Sequence, residues 1–309
     1  MNYKFVIIGA KDTTITMAKY VMAHVRKPDC IITVDESSVN TKNISGYASV
    51  EQFARDNGIE IFKVKDYSMK DEESRMFFES NTFELGVSMG WQRLIPKYVL
   101  DRFSVGIFGF HGSCGYLPYG KGRSPLNWSI IKGDERFILN CFKYDEKADS
   151  PNVFAKRMFQ INEFDTIRTL QYKNLLCSYE MVSELVKCAE AGNVNINRES
   201  KDYEFFYEKR TPKDGKIDFK GRTRDIYNLV RGVTKPFPGA YVYVNGDEEQ
   251  VVNIWSLVPF DSIMDFSAYE VGEVIEVLDG LPIVRTLDGS VLIREYDSAE
   301  ELKVGDVLQ

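Results

Sequence analysis

Short apolar runs alternate with helix-forming segments through the first half of this chain, and this alternation limits its fold more than any other feature. Five runs have the length and the β-branched or aromatic content of buried strands, at residues 4–8, 30–34, 59–64, 85–88 and 105–110. Helical periodicity separates them at residues 14–25, 50–57, 69–79 and 96–100. The pattern predicts an α/β fold with a doubly wound, mostly parallel sheet. Gly90 and His111 then sit at strand ends, facing the ligand crevice.

The second half of the chain changes character near residue 203. Residues 137–142 are predicted to form another strand and residues 152–192 a long helix, followed by a polar linker over 193–202. A helix is predicted at 223–233, and four or five short strands with Gly-bearing turns follow it. We therefore predict two domains, residues 1–202 with the linker and residues 203–309.

Composition excludes several classes of protein. No stretch approaches the roughly 20 consecutive apolar residues of a membrane helix, and the first apolar run is too short for a secretory signal. We therefore expect a soluble, cytoplasmic protein. The five cysteines form no CxxC pair and there are only two histidines, which indicates neither a disulfide framework nor a metal site. Gly9 follows the first strand without a GxGxxG pattern, which favours a simple turn over a dinucleotide site.

The charge balance is acidic, with a net charge of -7. Residues 203–309 hold 20 Asp and Glu against 12 Lys and Arg, a net charge of -8 for this third of the chain. Proteins that grip a polynucleotide neutralise its phosphates with Lys and Arg. The composition therefore disfavours a nucleic-acid partner.

The segment over residues 110–149 contains the groups that a proton-transferring site needs. Its chemistry-bearing residues are, in chain order, His111, Ser113, Leu117-Pro118, Lys121-Gly122-Arg123-Ser124, Pro125, Asn127 and Asp149. Pro125 suits the first turn of a helix over 126–132. The glycine-rich run before it can cradle an anion there, or form an ordinary turn with solvated charges. Taken alone, the acidic loop over 143–150 is typical of solvated surface.

In combination these residues resemble the signature of the N10-formyltetrahydrofolate-dependent formyltransferases. That signature runs His-x-Ser, Leu-Pro, a basic residue with Gly, a Pro-initiated helix and a later Asp. The blocks Arg210-Thr-Pro, Gly215-Lys-Ile-Asp218 and Pro236-Phe-Pro-Gly-Ala240 are similar to the C-terminal extension of the sugar N-formyltransferases and methionyl-tRNA formyltransferases. The resemblance implies a Rossmann-like catalytic domain, an OB-like β-barrel after it, and N10-formyltetrahydrofolate as co-substrate.

The resemblance also implies residue roles. His111 would relay a proton, Asp149 would orient the imidazole or accept the proton, and Ser113 would complete the catalytic group. The folate would lie against Met89, Gly90, Trp91 and Tyr144, although Met89–Trp91 alone fits equally well a Gly turn beside a core tryptophan. The amino sugar nucleotide would be bound by Lys121, Gly122, Arg123, Ser124 and Asn127.

One position departs from the family pattern. The family usually carries an Asn two residues before the His, whose amide donates to the formyl oxygen, and this chain has Gly109 there. The donor must then be His111, a backbone amide, or a side chain such as Ser113 or Asn127.

Three functions fit these observations. The first is a nucleotide-sugar N-formyltransferase of bacterial surface glycan biosynthesis. The second is a methionyl-tRNA formyltransferase, against which the acidic C-terminal third weighs. The third is a folate-binding relative that has lost activity together with the Asn. No nucleic-acid or membrane partner and no metal are expected, and a homodimer is left open.

Overall fold

Strands and helices alternate in the first half of the chain, as the apolar pattern predicts. A computed structural model describes residues 1–44, 46–146, 152–198 and 204–309. Every residue of the second strand is buried, which accounts for its almost entirely apolar sequence. The first elements are β1 (Asn2–Ile8), α1 (Asp12–His24), β2 (Cys30–Val34), a 3₁₀ turn (Thr41–Asn43), α2 (Glu51–Asp56), β3 (Glu60–Val64), α3 (Glu72–Ser80), β4 (Thr82–Ser88), α4 (Lys97–Leu100) and β5 (Phe103–Ser113).

These five strands form a parallel sheet in the order β3-β2-β1-β4-β5. The strand order therefore reverses between β1 and β4. At such a reversal the loops that leave the carboxyl ends of neighbouring strands diverge and open a crevice. The predicted doubly wound α/β fold is confirmed.

The sheet continues beyond β5 with strands from the middle of the chain. The elements are β6 (Tyr119–Gly122), α5 (Pro125–Ile131), β7 (Arg136–Lys143), β8 (Asn152–Gln160), α6 (Ile167–Glu190) and β9 (Asn197–Arg198). The sheet order is completed as β5-β7-β8-β9, with β5 and β7 antiparallel. His111 therefore lies inside a strand rather than beyond its end, because pairing with β7 extends β5 to Ser113.

The prediction of one helix over residues 152–192 is wrong for its first part. Residues Asn152–Gln160 form β8, and the helix α6 begins only at Ile167. Val153 and Ala155 are buried while Phe154 is partly exposed. Alternation with a period of two is the strand signature, and here sheet pairing determines the local structure.

The last third of the chain forms an antiparallel sheet covered by a helix. Its elements are β10 (Phe205–Tyr207), a 3₁₀ turn (Pro212–Gly215), α7 (Thr223–Val233), β11 (Ala240–Val244), β12 (Asp247–Asp261), β13 (Val274–Leu278), β14 (Leu281–Arg285) and β15 (Ser290–Asp297). The five strands β11 to β15 pair in the order β11-β12-β15-β14-β13, and β10 pairs with β6. The C-terminal residues bridge both edges of the five-stranded sheet, since Gln309 pairs with Tyr243 and the Leu308 N–H donates to the Gly272 carbonyl. This closure makes the sheet barrel-like, as predicted.

The described residues divide into two compact units. The first comprises Met1–Lys121, Ile138–Met158 and Asn174–Phe205, and the second comprises Gly122–Phe137, Phe159–Lys173 and Phe206–Gln309. The domain boundary predicted at 202/203 falls within residues 199–203, outside the described ranges, and stays a prediction. Across the described ranges, no helix is both long and apolar enough to cross a membrane.

Candidate active site at the carboxyl end of the sheet

The final residues of β5 place a row of site residues on one face of the sheet. Gly109, His111 and Ser113 are two residues apart, and alternate residues of a strand share a face. In the antiparallel ladder Gly109 pairs with Phe142 and His111 with Asn140. The sheet therefore supports the histidine from β7, a strand that is far from β5 in sequence.

The His111 imidazole is oriented by β6, the short strand that follows β5. Its Nε2 lies 2.7 Å from the Gly120 carbonyl oxygen on β6. Since a carbonyl oxygen only accepts, Nε2 carries the proton of this bond. In the neutral ring Nδ1 then holds the lone pair, and Nδ1 is the atom that can take a proton from a substrate.

Ser113 organises the loop between β5 and β6. Its side chain is fully buried, its Oγ lies 3.0 and 2.9 Å from the Gly115 and Tyr119 carbonyl oxygens, and it accepts the Gly115 N–H. The hydroxyl is thus committed to the loop backbone. The predicted catalytic role of Ser113 stays a prediction, and its contacts indicate that it acts by holding this loop.

The position of Gly109 is filled from the side by Tyr144. A Cβ atom at residue 109 would lie 2.1 Å from the Tyr144 hydroxyl oxygen and 2.4 Å from two of its ring carbons. Such distances lie far inside van der Waals contact, so residue 109 accepts no side chain while Tyr144 keeps this place. Sequence alone gives no sign of this contact, because Gly109 lies in β5 and Tyr144 directly follows β7.

The predicted folate residues Met89, Gly90 and Trp91 follow β4 directly. The Met89 carbonyl accepts the Thr14 hydroxyl at 2.6 Å. Gly90 has φ +86°, and a Cβ there would lie 2.9 Å from both Lys11 Cβ and Thr14 Oγ1. The absence of a side chain at Gly90 thus serves close packing against the start of α1. Burial lowers the pKa of the Lys11 ammonium, and the neighbouring Asp12 carboxylate partly offsets this shift.

Trp91 is a core residue with one unsatisfied polar atom. Its side chain is 9% exposed and meets the Tyr67 ring edge-on at 4.6 Å between centroids. Its indole Nε1 is buried and has no hydrogen-bond partner within the described part of the chain. Buried donors are almost always paired, so this N–H calls for an explanation.

The predicted substrate residues Lys121 and Gly122 end β6. The Lys121 ammonium lies 2.6 Å from the Glu204 carboxylate and the residue is 9% exposed. Gly122 has φ +102°, and a Cβ there would lie 2.4 Å from the Tyr207 carbonyl oxygen on β10. Both residues therefore take part in local packing, and their contact with a substrate stays a prediction.

Arg123, Ser124 and Asn127 surround the start of α5, which begins at Pro125 as predicted. Arg123 is exposed, whereas Asn127 is buried and its Nδ2 donates to the Gly232 carbonyl at 2.8 Å. Ser124 and Asn127 line a cavity of about 140 Å³ together with Arg210 and residues on either side of α7. Burial lowers the pKa of the Arg210 guanidinium, which stacks on Trp128 at 4.9 Å. Their role in substrate binding likewise stays a prediction.

One residue of the site, Asn140, lies beyond the sequence prediction. Asn140 is fully buried, its Nδ2 donates to the His111 carbonyl at 3.2 Å, and its Oδ1 has no partner among the residues described. The signal for Asn140 is a lone amide within the apolar run of β7. Asp149, the predicted partner of His111, falls within residues 147–151, which lie outside the described residues.

Two family models match this sequence. One is described as formyl transferase and matches residues 6–185, and the other as formyl transferase, C-terminal domain, and matches residues 209–306. The methionyl-tRNA formyltransferase of Clostridioides difficile is 27% identical over 311 residues, covering 99% of this chain and 96% of its own length.

Solved structures share the fold. An N-formyltransferase from Helicobacter canadensis, in complex with folinic acid and dTDP-3-aminofucose, has a TM-score of 0.65 at 17% identity, covering 94% of this chain and 98% of its own. HypX from Aquifex aeolicus, in complex with tetrahydrofolic acid, has a TM-score of 0.64 at 16% identity. The match with HypX covers 96% of this chain and 44% of HypX, so this chain spans less than half of HypX.

Proposed function

Since this chain belongs to the formyl transferase family, we propose that it transfers a formyl group from N10-formyltetrahydrofolate to the amine of an amino sugar nucleotide. The observation that carries the choice of acceptor is the charge of the C-terminal third, a net -8 over residues 203–309. A domain with this balance repels the phosphates of an RNA acceptor stem, whereas a nucleotide sugar needs only one or two cations. The likeness of fold to an N-formyltransferase that was solved with dTDP-3-aminofucose supports the same acceptor.

The second candidate is methionyl-tRNA formyltransferase. The Clostridioides difficile protein of that name aligns over 99% of this chain, which is the observation in its favour. The third candidate, a folate-binding protein without activity, would keep the folate pocket and transfer nothing. The three candidates differ in the product that each forms when acceptors are offered with N10-formyltetrahydrofolate.

The reaction requires one proton to move from the amine to the folate. The amine nitrogen attacks the formyl carbon, and the carbonyl π electrons pass to oxygen to give a tetrahedral oxyanion. The nitrogen loses a proton, the carbonyl re-forms, and the bond from carbon to N10 breaks with its electron pair passing to N10, which takes up a proton. The products are a formamide and tetrahydrofolate. His111, with Nε2 tied to Gly120, accepts the amine proton through Nδ1.

Asp149 is proposed to act with His111, on the family resemblance alone. A carboxylate beside the ring favours the imidazolium form that follows proton transfer. The pair then acts as a unit rather than as two independent groups.

Trp91, just after β4, has a hydrogen-bond donor that a heterocycle with acceptor atoms can pair. The buried indole N–H of Trp91 lacks an acceptor within the described ranges, and the nitrogen and oxygen atoms of a pterin ring can supply one. The ring of Tyr67 contacts Trp91 edge-on, and the Tyr67 hydroxyl accepts the Gln92 N–H at 2.9 Å. This arrangement supports folate binding at Met89–Trp91.

The cavity beside Arg210 supports a place for an anionic group of the acceptor. Arg210 provides the positive charge, and Ser124 and Asn127 line the same space. A guanidinium can bind a phosphate through two parallel N–H bonds. The predicted binding role of Ser124 and Asn127 is proposed on this basis.

The test is a panel of acceptors offered with N10-formyltetrahydrofolate. Amino sugar nucleotides that differ in nucleotide and in amine position are compared with methionyl-tRNA, and the products are identified by mass. We expect an increase of 28 Da, the mass of CO, on at least one amino sugar nucleotide. Formylation of methionyl-tRNA alone would support the second candidate. Folate binding with no product from any acceptor would support the third.

A further inference from the structure

The side of the sheet that carries His111 also carries the phenol of Tyr144. Gly109 and His111 share a face of β5, and Phe142 and Asn140 are their partners on β7. The Tyr144 N–H donates to the Ile107 carbonyl at 2.8 Å, which continues this ladder by one more pair. Tyr144 is therefore in phase with Phe142 and Asn140 and projects to the same face as His111.

It is the hydroxyl end of Tyr144, and not its stem, that occupies the place of a side chain at residue 109. The hydroxyl oxygen is the atom nearest to the Cβ position, at 2.1 Å, with Cε1 and Cζ at 2.4 Å. The ring is held from the side by Phe142, with centroids 5.3 Å apart, and packs on the small cluster around Leu117. A polar group is thus fixed directly above the strand, two residues before the histidine.

Three polar side chains described on this face each direct a donor to the backbone. His111 Nε2 is bound to the Gly120 carbonyl, the Ser113 hydroxyl to the loop, and Asn140 Nδ2 to the His111 carbonyl. The tetrahedral intermediate, however, places a full negative charge on the former formyl oxygen. Donors aimed at such an oxygen are among the largest contributions to catalysis.

We propose that the Tyr144 hydroxyl donates the hydrogen bond that stabilises this oxyanion, and that residue 109 is glycine to make room for it. The phenol keeps its proton throughout, so no bond at Tyr144 forms or breaks. This inference rests on the proposed formyl transfer but not on the identity of the acceptor. It also differs from the role predicted for Tyr144 from the sequence, which is folate binding alone.

Tyr144→Phe removes the hydroxyl and retains the ring. We expect kcat to fall by about 10²- to 10³-fold, with the KM for N10-formyltetrahydrofolate changing less than about threefold. The matched control is Tyr172→Phe on α6, where the side chain is 64% exposed and no change is expected. A raised KM with an unchanged kcat would make Tyr144 a folate-binding residue and overturn the inference.

A rescue experiment tests whether an amide at residue 109 can replace the hydroxyl of Tyr144. Gly109→Asn alone places its Cβ on the phenol, so we expect at least a tenfold loss of kcat. In the Tyr144→Ala background the space is open, and Gly109→Asn supplies an amide donor in place of the lost hydroxyl. The double variant should then turn over at least about tenfold faster than Tyr144→Ala. If the double variant is no faster than Tyr144→Ala, the proposal that Tyr144 supplies the donor in place of a side chain at residue 109 is wrong.

The assay keeps this inference separate from the choice of acceptor. The kcat of each variant relative to its parent is measured with whichever acceptor the wild-type protein formylates. It is measured again for the hydrolysis of N10-formyltetrahydrofolate without acceptor, in which water attacks the same carbonyl. Loss of both activities in Tyr144→Phe, with thermal melting unchanged, supports the inference. Equal rates for Tyr144→Phe and wild type on either reaction contradict it, whatever the acceptor proves to be.

Discussion

Gly122→Ala should show how tightly β6 is fitted against β10. Gly122 has φ +102°, outside the range that L-residues adopt readily, and a Cβ there would lie 2.4 Å from the Tyr207 carbonyl oxygen and 3.1 Å from its nitrogen. These are backbone atoms, which cannot rotate away as the end of a side chain can. The substitution therefore combines backbone strain with a steric overlap.

The two effects can be estimated separately. A left-handed conformation at a residue with a Cβ costs about 1–2 kcal/mol, and the overlap adds about 1–3 kcal/mol, the usual cost of overpacking. We expect Gly122→Ala to lower the free energy of unfolding by about 2–5 kcal/mol. The matched control is Gly280→Ala, in the same unit, with φ +81° and no atom within 4 Å of the Cβ position. The control carries the strain alone, about 1–2 kcal/mol.

Urea unfolding of the two variants, followed by circular dichroism, measures this difference. Turnover gives a second readout, because β6 also carries the Gly120 carbonyl that binds His111. We expect Gly122→Ala to lower kcat at least tenfold and Gly280→Ala to leave it unchanged. Equal losses of stability in the two variants would refute the argument that the Tyr207 carbonyl excludes a side chain at residue 122.

Three further predictions concern charge, catalysis and the folate pocket. Burial alone would raise the pKa of Asp165, which is 4% exposed, but hydrogen bonds from Lys173 and from other groups near the carboxylate lower this pKa. The contribution of the Asp165 carboxylate to stability is therefore complete above about pH 3.9, and it is lost as the pH falls through the lowered pKa. Asp165→Asn should therefore lower the free energy of unfolding by about 2 kcal/mol at pH 7, and a penalty that does not shrink in acid would contradict this. His111→Ala should lower kcat at least about 10²-fold. Adding Asp149→Asn to this variant should lower kcat little further, and if the two losses of kcat multiply instead, the residues act independently. Trp91→Phe should weaken the binding of 5-formyltetrahydrofolate about fivefold, because it removes one hydrogen bond of about 1 kcal/mol. Calorimetry measures this affinity, and an unchanged affinity would show that the indole N–H does not bind the folate.

The central strands of the parallel sheet follow from sequence because they are largely buried. They appear as mostly apolar runs, and β2 was predicted over the same residues that the structure gives, Cys30–Val34. The β8 segment was assigned to a helix because sheet pairing, which no local pattern records, overrides local preference. The position of His111 inside β5 depends in the same way on pairing with β7.

The residue types of the site are visible in the sequence, but their contacts are not. The family pattern identified His111, and the missing side chain at Gly109 marked the place where the site departs from it. What occupies that place is Tyr144, brought there by strand pairing across more than thirty residues. Gly90 illustrates the converse, since the resemblance implied contact with the folate there, and the structure places Lys11 and Thr14 where its side chain would lie.

We propose that this chain formylates an amino sugar nucleotide rather than a tRNA. The most direct measurement is kcat/KM for the best amino sugar nucleotide and for methionyl-tRNA, in one buffer at about 0.15 M salt, where phosphate contacts are screened as in a cell. We predict a ratio of at least 10² in favour of the sugar nucleotide. A kcat/KM for methionyl-tRNA equal to or higher than that for every sugar nucleotide tested would contradict the claim.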